Sequence, residues 1–279
     1  MNEDAGSMKR IFKNGAGAVV TKSIGIKANK GHPNPTIVEL EHGFINAMGL
    51  PNPGIKDFKP EIKELKKNKI PVIGSIYGKN IDEFKFLSEK MQEYGADAVE
   101  LNMSCPNVQG YGLEIGSDID LVKKIIREIK KSTKIPIFVK LSPNVVNIVD
   151  IAKAAEKEGA DAIVAINTVK AMKIDLDLKI PVLSNKIGGY SGPAIRPIGV
   201  RCVYEISKNI KIPVIGVGGI NTGKDVVEYL MAGATAVEIG SAIYYRGIDA
   251  FNKIIMELEE WMIKNKIKKI DEIIGVSQR

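Results

Sequence analysis

The chain has 279 residues, 44% hydrophobic and 26% charged, which is the composition of a globular protein long enough to bury a full core and excludes an extensively disordered one. A net charge of +7 raises nucleic acid as a partner, but the lysines fall in short clusters such as Lys66-Lys67-Asn68-Lys69 without interleaved aromatics and read as solvated helix surface. No apolar run reaches the roughly 18 residues of a membrane span, the start Met1-Asn-Glu-Asp4 lacks signal-peptide character, and Cys105 and Cys202 are too few for a disulfide framework, a zinc site or an iron–sulfur cluster, so a cytoplasmic chain with no membrane or nucleic-acid partner and no metal of its own is expected.

Along the chain two short phrases alternate, each running into a β-branched strand. A helix over about Asp4–Asn14 leads to Gly15-Ala-Gly-Ala-Val19, and an excursion over about 23–53 follows. The helix Pro60–Asn68 leads to Lys69-Ile-Pro-Val72, and Ile81–Tyr94 leads to Gly95-Ala-Asp-Ala-Val99. Next come Ile119–Ser132 with Lys134-Ile-Pro-Ile137, and Ile148–Glu158 with Gly159-Ala-Asp-Ala-Ile163. After a second excursion over about 169–192, the helix Ile195–Lys208 precedes Lys211-Ile-Pro-Val214. The helix Thr222–Met231 precedes Gly233-Ala-Thr-Ala-Val237, and Ile248–Lys264 closes the series. In the first phrase Gly ends a helix in a left-handed cap and the alanines let it pack closely on the sheet; in the second, Pro opens a strand before the ladder needs its N–H.

Strands alternating with helices at this spacing call for a parallel α/β sheet with right-handed crossovers, best built as a (β/α)₈ TIM barrel in a single domain over 1–279. Seven beats are present, and the Gly-Ala strands take even positions. The barrel therefore lacks its first β-strand in this sequence, because of a late start or a shortened chain, which leaves two unpaired edges. Both excursions follow strand C-terminal ends, where barrel enzymes place their chemistry, and are expected to act as lids or site walls.

At that face the segment Asn102-Met-Ser-Cys-Pro-Asn-Val108 follows the strand Ala98–Leu101 and exposes Cys105 in a polar loop, whereas Cys202 lies within a helix and reads as packing. Lys22 and Lys140 end two strands, and a lysine there needs an anionic ligand or an internal carboxylate partner. Gly218-Gly219 and Gly240-Ser241 follow the last two strands, where barrels commonly bind phosphate. The run Gly216–Ile220 is a poor dinucleotide fingerprint, since Asn221 replaces its final glycine. His32 and His42 stand alone in the first excursion and read as surface polarity.

On Asn102-Met-Ser-Cys-Pro-Asn107, Val139-Lys-Leu-Ser-Pro-Asn144, Ile45-Asn-Ala-Met-Gly-Leu-Pro-Asn-Pro-Gly54 and Gly188-Gly-Tyr-Ser-Gly-Pro-Ala194, the chain resembles the class 1 dihydroorotate dehydrogenases from its first helix onward. The resemblance implies oxidation of dihydroorotate to orotate in pyrimidine biosynthesis, with Cys105 as the general base at C5 and hydride passing from C6 to FMN. It places Lys22, Asn46, Met48, Gly49, Leu50, Asn102, Asn107, Asn167 and Thr168 around the pyrimidine. Around FMN it places Lys22, Ser23, Ser75, Asn102, Lys140, Ile166 and Gly192, with Gly218, Gly219, Gly240 and Ser241 at the phosphate. Two departures stand out: the family's Ala-Ser-Gly flavin contact belongs to the strand that is missing, and Gly74-Ser75-Ile76 lacks the usual Asn.

The Pro-rich first excursion and Ser191-Gly-Pro-Ala-Ile-Arg-Pro197 resemble the class 1B branch. That branch implies a partner subunit carrying FAD and 2Fe-2S in a heterotetramer that reduces NAD. The alternatives are a class 1A homodimer linked to fumarate, a flavin-free phosphate-binding barrel lyase or isomerase, and an inactive truncated barrel.

Overall fold

The computed structural model describes residues 3–103 and 116–279. Seven strands, β1 (Val19–Val20), β4 (Val72–Ile76), β5 (Ala98–Asn102), β6 (Ile137–Leu141), β7 (Ala162–Ala165), β12 (Val214–Val217) and β13 (Ala236–Glu238), form one all-parallel sheet whose spatial order is their chain order. Along β5 and β6 the odd-numbered residues Val99, Leu101, Ile137 and Val139 are wholly buried on the helix-facing side, and the even-numbered ones, Glu100, Asn102 and Lys140, line the interior. Outside lie the helices. In Ile119–Ser132 the buried residues are Val122, Ile125, Ile126 and Ile129, a single stripe at helical spacing.

Both edge strands face one cavity, whose wall includes Val19 and Val20 from β1, Ala236 and Val237 from β13, and Phe251 and Ile254 from the last long helix. The sheet is therefore curled into a barrel left open between β1 and β13, as the strand count predicts. The phrase glycines Gly15, Gly95, Gly159 and Gly233 all have positive φ, between 94° and 113°. The phrase also contains a fastening that its spacing does not announce. Asp97 accepts the N–H of Val72 at 2.7 Å and pairs with Lys66, and Asp161 accepts the N–H of Ile137 at 2.8 Å and pairs with Lys130. Each ties the residue after a strand-opening proline to the next strand along.

Three features differ from expectation. The second helix runs Ile55–Lys67 with Pro60 inside it; Ile55 and Phe58 anchor the earlier turn in the core, and Lys56, whose carbonyl the proline leaves unpaired, is solvent-exposed. The last predicted helix runs Ala250–Lys264, and a short unpredicted one, Ala242–Arg246, precedes it, the two parted at Gly247 with φ 84°. The excursions also build structure together. From the first come β2 (Ile37–Leu40) and β3 (Gly43–Asn46), from the second β8 (Val169–Ala171) and β11 (Gly188–Ser191), and they form an antiparallel sheet in the order β2, β3, β11, β8 with a small core of Ile45, Ala47 and Leu183. A hairpin of β9 (Ile174–Asp175) and β10 (Ile180–Pro181) stands beyond it. No described helix is long and apolar enough to cross a membrane.

Candidate active site

The C-terminal ends of the strands converge on two adjoining cavities, of about 130 and 880 Å³, which share Lys140, Asn167, Val217, Glu238 and Gly240. The smaller one gathers Ile166, Thr168 and Gly192 with Gly218, Gly219, Gly240 and Ser241. The larger one adds Lys22, Ser23, Ser75, Glu100 and Asn102. All eleven residues expected at the cofactor thus line one continuous cleft. Three of those expected at the substrate, besides Lys22, are there as well: Asn102, Asn167 and Thr168.

A directed hydrogen-bond relay crosses the cleft. The Asn167 side-chain amide donates to Asn102 Oδ1 at 3.4 Å, and the Asn102 amide donates to Ser23 Oγ at 2.9 Å. Ser23 and Ser75 are in hydroxyl contact at 2.9 Å, and Ser75 donates to Glu100 Oε1 at 3.0 Å. Thr21 fixes the crossing by accepting the Ser75 N–H at 2.9 Å. The barrel strands β1, β4, β5, β6 and β7, or the residues just past their ends, thus each contribute a side chain to the relay or to the lysine beside it, and register sets Ser75 opposite Glu100 and Asn102 opposite Lys140.

Of the two alternatives expected of it, Lys140 meets the internal carboxylate partner. Its ammonium lies 2.9 Å from Glu238 and 3.6 Å from Glu100 while also lining both cavities. Burial alone would favour the neutral amine, and the two carboxylates outweigh it, so Lys140 is held charged above the ordinary lysine range. Glu100 shows the reverse balance: desolvation pushes it up to about 7, with Lys140 pulling the other way.

The remaining expected residues are distributed more widely. Asn46, Met48, Gly49 and Leu50 belong to β3 and the turn after it, and none lines either cavity. The Asn46 amide reaches Gly189 O at 3.4 Å, and Gly189 packs against the Thr168 side chain, which ties the excursion sheet to the cleft. Gly49 and Leu50 hold positive φ, with the Gly49 carbonyl accepting from Asn29 at 2.9 Å and that of Met48 accepting from His32 N at 3.0 Å. Cys105 and Asn107 lie outside the described residues. Cys202 is buried, and desolvation pushes its thiol up to about 11, in keeping with packing.

Sequence reasoning missed Glu100, Glu238 and Tyr229. Glu100 carried a signal, a charge inside the wholly buried strand Ala98-Val-Glu-Leu-Asn102, where ionised residues almost never sit unless paired. Tyr229 gave none. Its hydroxyl reaches out of the helix Gly223–Ala232 to donate to Gly218 O at 2.7 Å, so it holds the Gly218-Gly219 turn from behind.

Fold and cleft together define an α/β-barrel enzyme with its active face at the strand C-termini. A family model for dihydroorotate dehydrogenase matches residues 1–262, and the chain belongs to that family. A relative from Thermoplasma volcanium, dihydroorotate dehydrogenase B (NAD(+)), catalytic subunit, is 54% identical over 277 residues, 99% of this chain and 91% of that protein. The protein of the same description from Methanocaldococcus jannaschii is 50% identical over 281 residues, 99% of this chain and 91% of that protein. A crystal structure of DHODH in complex with ferulenol from Eimeria tenella matches with a TM-score of 0.85 at 23% identity, over 100% of this chain and 83% of that one, and so shares the fold.

Proposed function

We propose that this chain is the catalytic subunit of an NAD-linked dihydroorotate dehydrogenase, oxidising dihydroorotate to orotate in pyrimidine biosynthesis in the cytoplasm. The observation that carries the reading is the single cleft that joins a buried lysine, two glycine-bearing turns and the Asn102–Asn167 pair. The cleft suits FMN: Lys140 offers a fixed positive charge, Ser23, Asn102 and Asn167 offer neutral polar groups, and a Cβ at Gly240 would meet nothing within 4 Å, so a ligand can approach the backbone there. When bound, FMN supplies the two-electron acceptor for the substrate's C6.

The chain's own residues do the rest. Lys140, Ser23, Ser75 and Ile166 hold the ring, and Gly218, Gly219, Gly240 and Ser241 hold the phosphate. Asn102, Asn167 and Thr168 orient the pyrimidine, with Asn46, Asn107, Lys22 and the turn Met48–Leu50 completing its enclosure. Cys105 takes the C5 proton. Two cysteines cannot ligate an iron–sulfur cluster, so FAD and 2Fe-2S belong to a partner subunit, in a heterotetramer, that carries electrons to NAD. The whole of 1–279 serves as one cofactor-binding domain.

The test is the visible spectrum of the purified chain before and after anaerobic dihydroorotate. Bleaching of a bound flavin is expected, and a flavin that stays oxidised overturns the reading. Cys105→Ala should keep its flavin and lose activity about 100-fold or more, since a positioned general base contributes roughly 10²–10⁴-fold. An ordinary thiol titrates near about 8.5, so the rate should rise toward alkaline pH.

A further inference from the structure

Inside the barrel two carboxylates share one ammonium. The side chains of Glu100, Glu238 and Lys140 are 2%, 15% and 17% exposed, and the Lys140 Nζ is within ion-pair range of both acids. Lys22 lines the same cavity from the end of β1, and Ser75 faces Glu100 from β4. One ammonium cannot neutralise two buried carboxylates, and a buried charge without compensation is costly. Two carboxylate oxygens, Glu100 Oε2 and Glu238 Oε1, are buried with no hydrogen-bond partner among the described residues. A single proton held between the two acids would remove both deficits, completing the hydrogen bonding and bringing the cluster to neutrality.

We propose that Glu100 is a positioning residue of the active site: it shares one proton with Glu238, the pair fixes the Lys140 ammonium at the cleft, and Glu100 terminates the relay that orients Asn102. The Asn167, Asn102 and Ser75 donors all run toward Glu100, so its carboxylate sets their direction from β7 across to β5. Burial first, and then the neighbouring Glu238, raise the pKa of Glu100, which agrees with a retained proton. The role in positioning Lys140 toward a cofactor rests on the flavoenzyme reading; the shared proton does not.

The two are separated by measuring flavin-free and flavin-bound protein in parallel. An acid whose folded pKa exceeds its unfolded value contributes stability that is fully present below the unfolded value, about 4.3, and is lost as pH rises through the folded value of about 7. Urea unfolding of the FMN-free protein from about pH 5 to about pH 8 should therefore show a loss of stability in the wild type that is absent in Glu100→Gln and in Glu238→Gln alike. Parallel profiles in wild type and variants overturn the proposal, and if Glu100→Gln does not fold, Glu238→Gln tests the same proton. For the flavin-bound state, deprotonation of the pair adds a negative charge beside Lys140. The wild-type Kd for FMN divided by that of Glu100→Gln should then rise roughly tenfold between about pH 6 and about pH 8. Both proteins meet the same ionisation of FMN, so the ratio reports the pair. A pH-independent ratio overturns the positioning role, and failure of the wild type to bind FMN at all, with the stability profile intact, overturns the flavoenzyme reading while leaving the shared proton standing.

Discussion

Tyr229 shows how one buried side chain that lines neither cavity can govern the cleft. Burial holds its hydroxyl protonated well above the ordinary tyrosine range, as a donor to Gly218 O, and its ring is clasped by Gly199 and Gly216. Tyr229→Phe should cost about 1 kcal/mol, the net value of a typical internal hydrogen bond, and weaken FMN binding through the released turn; denaturant midpoints and flavin titration measure the two effects. Gly199→Ala would drive a Cβ into the Tyr229 hydroxyl and should destabilise by about 1–3 kcal/mol, as overpacking does. At this scale the sequence was most readable where a residue ended a strand. Lys140, Gly218 and Ser241 could be placed because position at the active face is itself the signal. Glu100, two residues inside its strand, and Tyr229, on the far side of a turn, act through partners that only the three-dimensional register supplies.

The helix Gly223–Ala232 depends on its first turn. Thr222 and Asp225 form a reciprocal capping box, and the Asp225 carboxylate also accepts the Asn221 N–H at 2.9 Å and pairs with Arg196. Asp225→Asn should cost about 2 kcal/mol, the range of charge-assisted hydrogen bonds, and the loss should appear in thermal unfolding without a change in the flavin spectrum. Elements were legible wherever local chemistry sets them: the Gly-Ala phrases cap their helices as read, and the Ile-Pro phrases open their strands. Pro60 misled because a proline favours a helix start, whereas burial of Ile55 and Phe58 began this helix earlier. Pairing of the two excursions had no local signature at all, since β3 and β11 lie more than a hundred residues apart and meet only once the barrel has brought their bases together.

For the molecule as a whole, the seven-beat rhythm implied the open barrel, and the structure leaves β1 and β13 as its margins. Amide exchange should be slowest in β5 and β6, which are paired on both sides, and fastest in β1 and β13; equal protection across the sheet would show that the margins are covered in solution. Because spatial order repeats chain order, each new strand can dock on the one made just before it, with no need to wait for a distant partner. The barrel can therefore grow in one direction as the polypeptide leaves the ribosome, one strand-and-helix module at a time. Both excursions depart from and return to the same face, so evolution can lengthen or reshape them without renegotiating a single register in the wall that supports the chemistry.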